Sequence, residues 1–135
     1  MKPADEQCRI KRGTIMANNF KKLSKTDYWL VFDHAFKAAE RACNEYLAKY
    51  PDRWFPCGFA WVVFDGRDPA VKFLKENRDA LGRRAGDKGH PKGWHIWDPA
   101  NSNTQCMGAK VEGAMAFCTV LKKYGIKCSY EYRMD

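Results

Sequence analysis

No apolar run in this 135-residue chain approaches the roughly 20 residues that a membrane-spanning helix needs, which excludes a helical span and any membrane partner of that kind. The start, MKPADEQCRIKRG, lacks the apolar centre of a secretion signal, so a cytoplasmic protein is expected. None of the six cysteines (Cys8, Cys43, Cys57, Cys106, Cys118 and Cys128) forms a C-x-x-C pair, and without a secretion signal they are expected as reduced thiols. H-E-x-x-H, H-x-H and H-x-E are absent, which removes the usual zinc spacings, and no metal or cofactor is expected. GRRAGDKG has no G-x-x-x-x-G-K-[ST], and Ser102 lies in no G-x-S-x-G elbow. Helix-turn-helix, RRM, KH and zinc-finger signatures are missing, which argues against a sequence-specific reader.

Negative charge is also scarce. Asp and Glu number 16 against 24 Lys and Arg, leaving a formal charge of +8 and a pI of about 9.2. Such a field attracts phosphates or acidic protein surfaces without choosing between them. Aromatics are plentiful, with five Trp, six Tyr and eight Phe. Most must be core, and the remainder can stack on bases where Lys and Arg stand nearby.

The chain divides into a basic leader over residues 1–25 and one globular domain over residues 26–135. In the leader, RIKRGTIM reads as an edge strand turning at Gly13. A helix is predicted over Asp27–Tyr50, capped by Thr26 or Asp27, with Tyr28, Phe32, Ala35, Ala39, Cys43, Tyr46 and Tyr50 on one face. CGFAWVVF is apolar on both faces and predicts a central strand covered on both sides. Asp68 and Pro69 start a second helix with a basic side of Lys72, Lys75, Arg78, Arg83 and Arg84. WHIW is a short strand, with Trp94 and Ile96 on one face and His95 and Trp97 on the other. A third helix is predicted from about Met107 to Tyr124, capped by Asn103 or Thr104, with Ala109, Gly113 and Ala116 closely approached by another backbone, that of the sheet. Gly125 ends it, and KCSYEYRM alternates as a half-buried strand. The fold class is α+β, or small α/β: a sheet of three to four strands packed with three helices.

Between them, GRRAGDKGHPKG is expected to hold no regular element. Its glycines let backbone amides approach an anion, and Arg83, Arg84, Lys88 and Lys92 supply charge. After the WHIW strand, Asn101 and Asn103 lie at a helix N-terminus, where unpaired N–H groups favour anions. Trp97 is the stacking candidate, with Trp94 and Tyr132 as others if exposed.

CGFAWV at Cys57–Val62, NTQCMGAKVEGAMAF at Asn103–Phe117, YGI at Tyr124–Ile126 and the closing RMD together resemble a group of small proteins encoded by bacteriophages and prophages. The resemblance covers roughly residues 40–135. It implies a setting, the host cytoplasm, rather than an activity. Cys106 departs from the pattern, where serine is more usual.

The expected function is therefore that of a small basic phage accessory protein, binding nucleic acid or another phosphate-bearing, nucleotide-like ligand without catalysis. The site set is Arg83, Arg84, Lys88, Lys92, Trp97, Asn101 and Asn103. One alternative is an anti-defence or host-takeover inhibitor that binds a host or defence protein through exposed aromatics and arginines. The other is a small hydrolase built on His95, with Asp98 or Cys106 beside it.

Overall fold

The computed structural model describes residues 23–50, 56–90 and 92–135. The strand expected in the leader lies outside the described residues. Helix α1 runs Lys25–Lys49. It starts two residues before the predicted boundary because Ser24, not Thr26 or Asp27, is the N-cap. The Ser24 side chain accepts from the Asp27 N–H, and the Asp27 carboxylate accepts from the Ser24 N–H, a reciprocal capping box.

Strand β1 (Gly58–Phe64) leads to α2 (Pro69–Glu76), where the Asp68 carboxylate accepts from the Ala70 N–H as the sequence predicts. The second helix stops short of Arg84, to which its predicted basic side extends. It ends at Asn77, whose side-chain amide donates to the Phe73 carbonyl, and a separate one-turn helix α3 (Arg78–Leu81) follows. The glycine-rich loop is more regular than its composition predicts. It forms a 3₁₀ turn over Gly82–Ala85 and a short strand β2 (Asp87–Lys88). Gly86, at φ 80°, makes this possible: a Cβ there would fall 2.5 Å from the His95 carbonyl oxygen, so only glycine lets the chain join the sheet. Then come β3 (Trp94–Trp97), α4 (Met107–Lys123) and β4 (Ser129–Met134).

The strands form one antiparallel sheet ordered β2-β3-β1-β4. β1 and β2 run parallel with β3 between them, and β3 and β4 run parallel with β1 between them. Two split β-α-β units are thus interlocked in an α+β domain, with four α-helices among the described residues.

All the core lies on one face. Ala60, Val62 and Phe64 of β1 and Trp94 and Ile96 of β3 point towards the helices. Phe32 of α1 is central: its ring stacks on Phe73 at 5.7 Å and meets Phe64 and Phe117 at 6.3 and 6.2 Å. The small-residue line of α4 faces α1 rather than the sheet, since a Cβ on Gly113 would lie 3.3 Å from the Ala39 carbonyl oxygen. After α4, the Ile126 N–H donates to the Leu121 carbonyl and the Gly125 N–H to that of Lys122, the predicted glycine C-cap.

β1 is central, as predicted, but it is not covered on both sides. Its even-numbered residues are buried and Phe59, Trp61 and Val63 are only half-buried. Among the described residues no helix lies on that face; its aromatics cover one another instead.

Candidate functional site

Strand register assembles the uncovered face. Trp61 pairs with Trp97 and Val63 with His95, while Phe59 and Trp61 pair with Arg133 and Glu131 of β4. Because paired residues share a face, all of these side chains stand on the open side of the sheet. The Trp61 and Trp97 rings stack with centroids 4.5 Å apart, and Phe59 meets Trp97 edge-on at 5.9 Å. Trp97 remains 41% exposed.

Two cations flank this platform. Arg133 lies 5.6 Å from the Phe59 ring centroid, and the Lys110 ammonium 5.3 Å from it. Lys110 comes from α4, is buried, and donates to the Gly58 carbonyl at 3.0 Å, just beyond the end of β3. It is a cation held by a carbonyl and a ring face rather than by a carboxylate. The Trp61 indole N–H is buried and has no acceptor among the described residues.

The sequence-derived residues fall into two groups. Arg83 donates to the Asn101 side-chain oxygen, four residues beyond Trp97, which brings Arg83, Asn101 and Trp97 to one end of β3. Arg84, next in the 3₁₀ turn, extends over the Phe36 ring at 5.2 Å. Lys88 and Lys92 lie at the other end of β3, whose four residues span about 10 Å. Asn103 is exposed in the turn after Asn101. Lys92 joins Arg67 and Lys127 around a cleft of about 650 Å³ at the end of β1. Among the described residues the ion pairs join Lys37 to Asp33 and Arg67 to Asp65, so Arg83, Arg84, Lys88 and Lys92 have no carboxylate partner there.

Trp94 does not reach the surface. It is 5% exposed, its indole N–H donates to the Ala85 carbonyl at 2.7 Å, and Lys75 and Arg78 cover its ring at 5.0 and 5.6 Å. Tyr132 is exposed but stands on the helix side of β4, across the sheet from Trp97. The N-terminus of α4 is largely self-satisfied. Cys106, not Asn103 or Thr104, is its cap: its sulfur accepts from the Ala109 N–H at 3.4 Å, and the Met107 N–H donates to the Pro56 carbonyl.

His95 lies under the hairpin on the open face, 7% exposed, and Gly89 presses on its ring. Burial depresses its pKa, against the opposing pull of Glu131 and of a hydrogen bond to the Lys92 backbone. Cys106 pairs with Cys57, six residues along β1 from Val63, the partner of His95. The histidine and the thiol are therefore about 20 Å apart, too far for a nucleophile–base pair. Asp98 turns away as well, with one carboxylate oxygen accepting from both the N–H and the hydroxyl of Ser102. Among the described residues no three His, Cys, Asp or Glu gather as metal ligands, and no helix is long and apolar enough to cross a membrane.

Sequence reasoning passed over Phe59, Trp61, Lys110 and Arg133. The odd-numbered alternation of Phe59 and Trp61 was visible, but only strand register puts them beside Trp97. Compared with known protein families, curated proteins and solved structures, the chain matches none.

Proposed function

We propose that this protein binds single-stranded nucleic acid, without catalysis, on the open face of its sheet. One observation carries the reading: Phe59, Trp61 and the exposed Trp97 form a continuous aromatic surface on the two central strands, with Lys110 and Arg133 against it. Aromatics on an uncovered four-stranded sheet are a general means of stacking unpaired bases. An exposed cation beside the rings, Arg133, can then meet the phosphates, while the buried Lys110 adds positive field beneath them. Arg83 and Asn101 adjoin the Trp97 end of the surface, and the net charge of +8 favours a polyanion at long range. The setting that suits this activity is a phage accessory protein acting in the host cytoplasm.

The test is titration of a fluorescently labelled single-stranded oligonucleotide, read by anisotropy and tryptophan quenching. Wild-type protein is expected to bind, and Trp97→Ala to weaken binding by about 1–3 kcal/mol, the usual cost of losing one stacked base, with no change in fold by circular dichroism. Absence of binding to any oligonucleotide, together with nuclease-resistant capture of a defined host or defence protein, would instead support an inhibitor that docks through the same aromatics.

A further inference from the structure

The two edges of the sheet are unlike. β2 is two residues long and closes at once into its hairpin, which protects that edge. β4 is six residues long, lies at the other edge, and contains neither proline nor lysine. Its backbone alternation follows from one bond. The Asp135 N–H donates to the Cys57 carbonyl, so Arg133, Glu131 and Ser129, two, four and six residues back, also turn their N–H and C=O groups towards β1. Tyr130, Tyr132 and Met134 therefore point theirs outwards, and the Tyr132 and Met134 side chains are 56% and 61% exposed.

We infer that β4 pairs antiparallel with β4 of a second copy about a two-fold axis at Tyr132, giving a dimer with one continuous eight-stranded sheet. The sequence SYEYRM is self-complementary in this register. Tyr132 faces its own copy, and Tyr130 faces Met134 of the other chain. These are the residues whose outward backbone groups have no partner among the described residues, and they form the hydrogen-bonded pairs of the new ladder. Glu131 then stands opposite Arg133 of the other chain, twice, at the non-hydrogen-bonded positions where cross-strand side chains come closest. A two-fold axis at Tyr130 would set Glu131 opposite Ser129, and one at Met134 would leave most of the strand unpaired. Charge complementarity thus selects both the occupant and the register. The axis also joins the two aromatic faces edge to edge on the same side. A contact made by one strand pair is small, so the dimer is a reversible one.

The experiment is sedimentation equilibrium over a concentration series, with circular dichroism as the check on folding. Wild type is expected to dimerise. Glu131→Arg sets arginine opposite arginine and Arg133→Glu sets glutamate opposite glutamate, so each is expected to weaken self-association roughly tenfold or more. Mixing these two folded variants restores opposite charges at both positions and is expected to recover a heterodimer, and the double variant a homodimer. Tyr132→Pro removes an outward N–H that β1 does not use and is expected to leave a folded monomer. A wild type that stays monomeric overturns the inference, as do single reversals that leave the dimer intact or a mixture that fails to associate. Oligonucleotide binding by a monomer would leave the nucleic-acid reading standing while removing this one.

Discussion

Individual residues divide sharply between support and service. Phe32 is almost fully buried and touches the rings of Phe36, Phe64, Phe73 and Phe117. Phe32→Ala is expected to cost about 3–5 kcal/mol of unfolding free energy in urea titrations, through lost transfer energy and the cavity left behind. His95 makes a different, pH-dependent contribution. Its folded pKa lies below the ordinary 6.5 because of burial, and that of His34 is lowered by burial and by Lys123 and Arg41. The unfolded chain therefore takes up protons first as pH falls through 6.5, and stability declines from there towards the folded pKa values. Urea midpoints measured from pH 8 to 5 are expected to fall below pH 6.5, and His95→Gln to flatten that fall.

At the scale of the element, two short segments hold functional geometry in place. The β2–β3 hairpin lies over His95 only because Gly89 has no side chain; a Cβ there would fall 2.2 Å from the imidazole Nε2. Gly89→Ala is expected to destabilise the fold by about 1–3 kcal/mol, since a buried ring cannot swing aside as a surface chain would. At the start of α4, a thiol does the work usually given to a hydroxyl, accepting from Ala109 at 3.4 Å. A serine oxygen is the better acceptor, so Cys106→Ser is expected to raise stability by up to about 1 kcal/mol, read as a higher urea midpoint. Helix starts marked by Asp68-Pro69 and helix ends marked by Gly125-Ile126 were legible because each depends on groups within a few residues. The Cys106 cap and the break at Asn77 were not, since the former needs the chain folded back on Pro56 and the latter depends on a side chain choosing the Phe73 carbonyl.

For the molecule as a whole, one feature organises the surface: the described helices lie on a single side of the sheet, leaving Phe59, Trp61 and Trp97 on the other. Arg83 reaches Asn101 at the Trp97 end of β3 and Arg84 lies over the Phe36 ring on the helix side, and neither has a carboxylate partner among the described residues. Oligonucleotide affinity is expected to fall with added salt, with a log–log slope of about −0.7 per phosphate neutralised on a single strand. Arg83→Ala/Arg84→Ala is expected to make that slope shallower while the unfolding transition stays in place.

The amino-acid order alone determined the three longest helices, the strands at CGFAWVVF, WHIW and KCSYEYRM, the α+β class and the surplus of positive charge. These follow from local periodicity, capping chemistry and composition, which act over a few residues. It marked Trp97, Arg83 and Asn101 as candidates but treated the loop cations as one set, and the fold divides them between the two ends of β3. Which aromatics share a surface was decided only when β1, β3 and β4 paired in register. A slip of one residue would have sent Phe59 and Trp61 into the core and left Val62 and Phe64 outside. That choice belongs to contacts between segments thirty or more residues apart in sequence, and no local signal carries it.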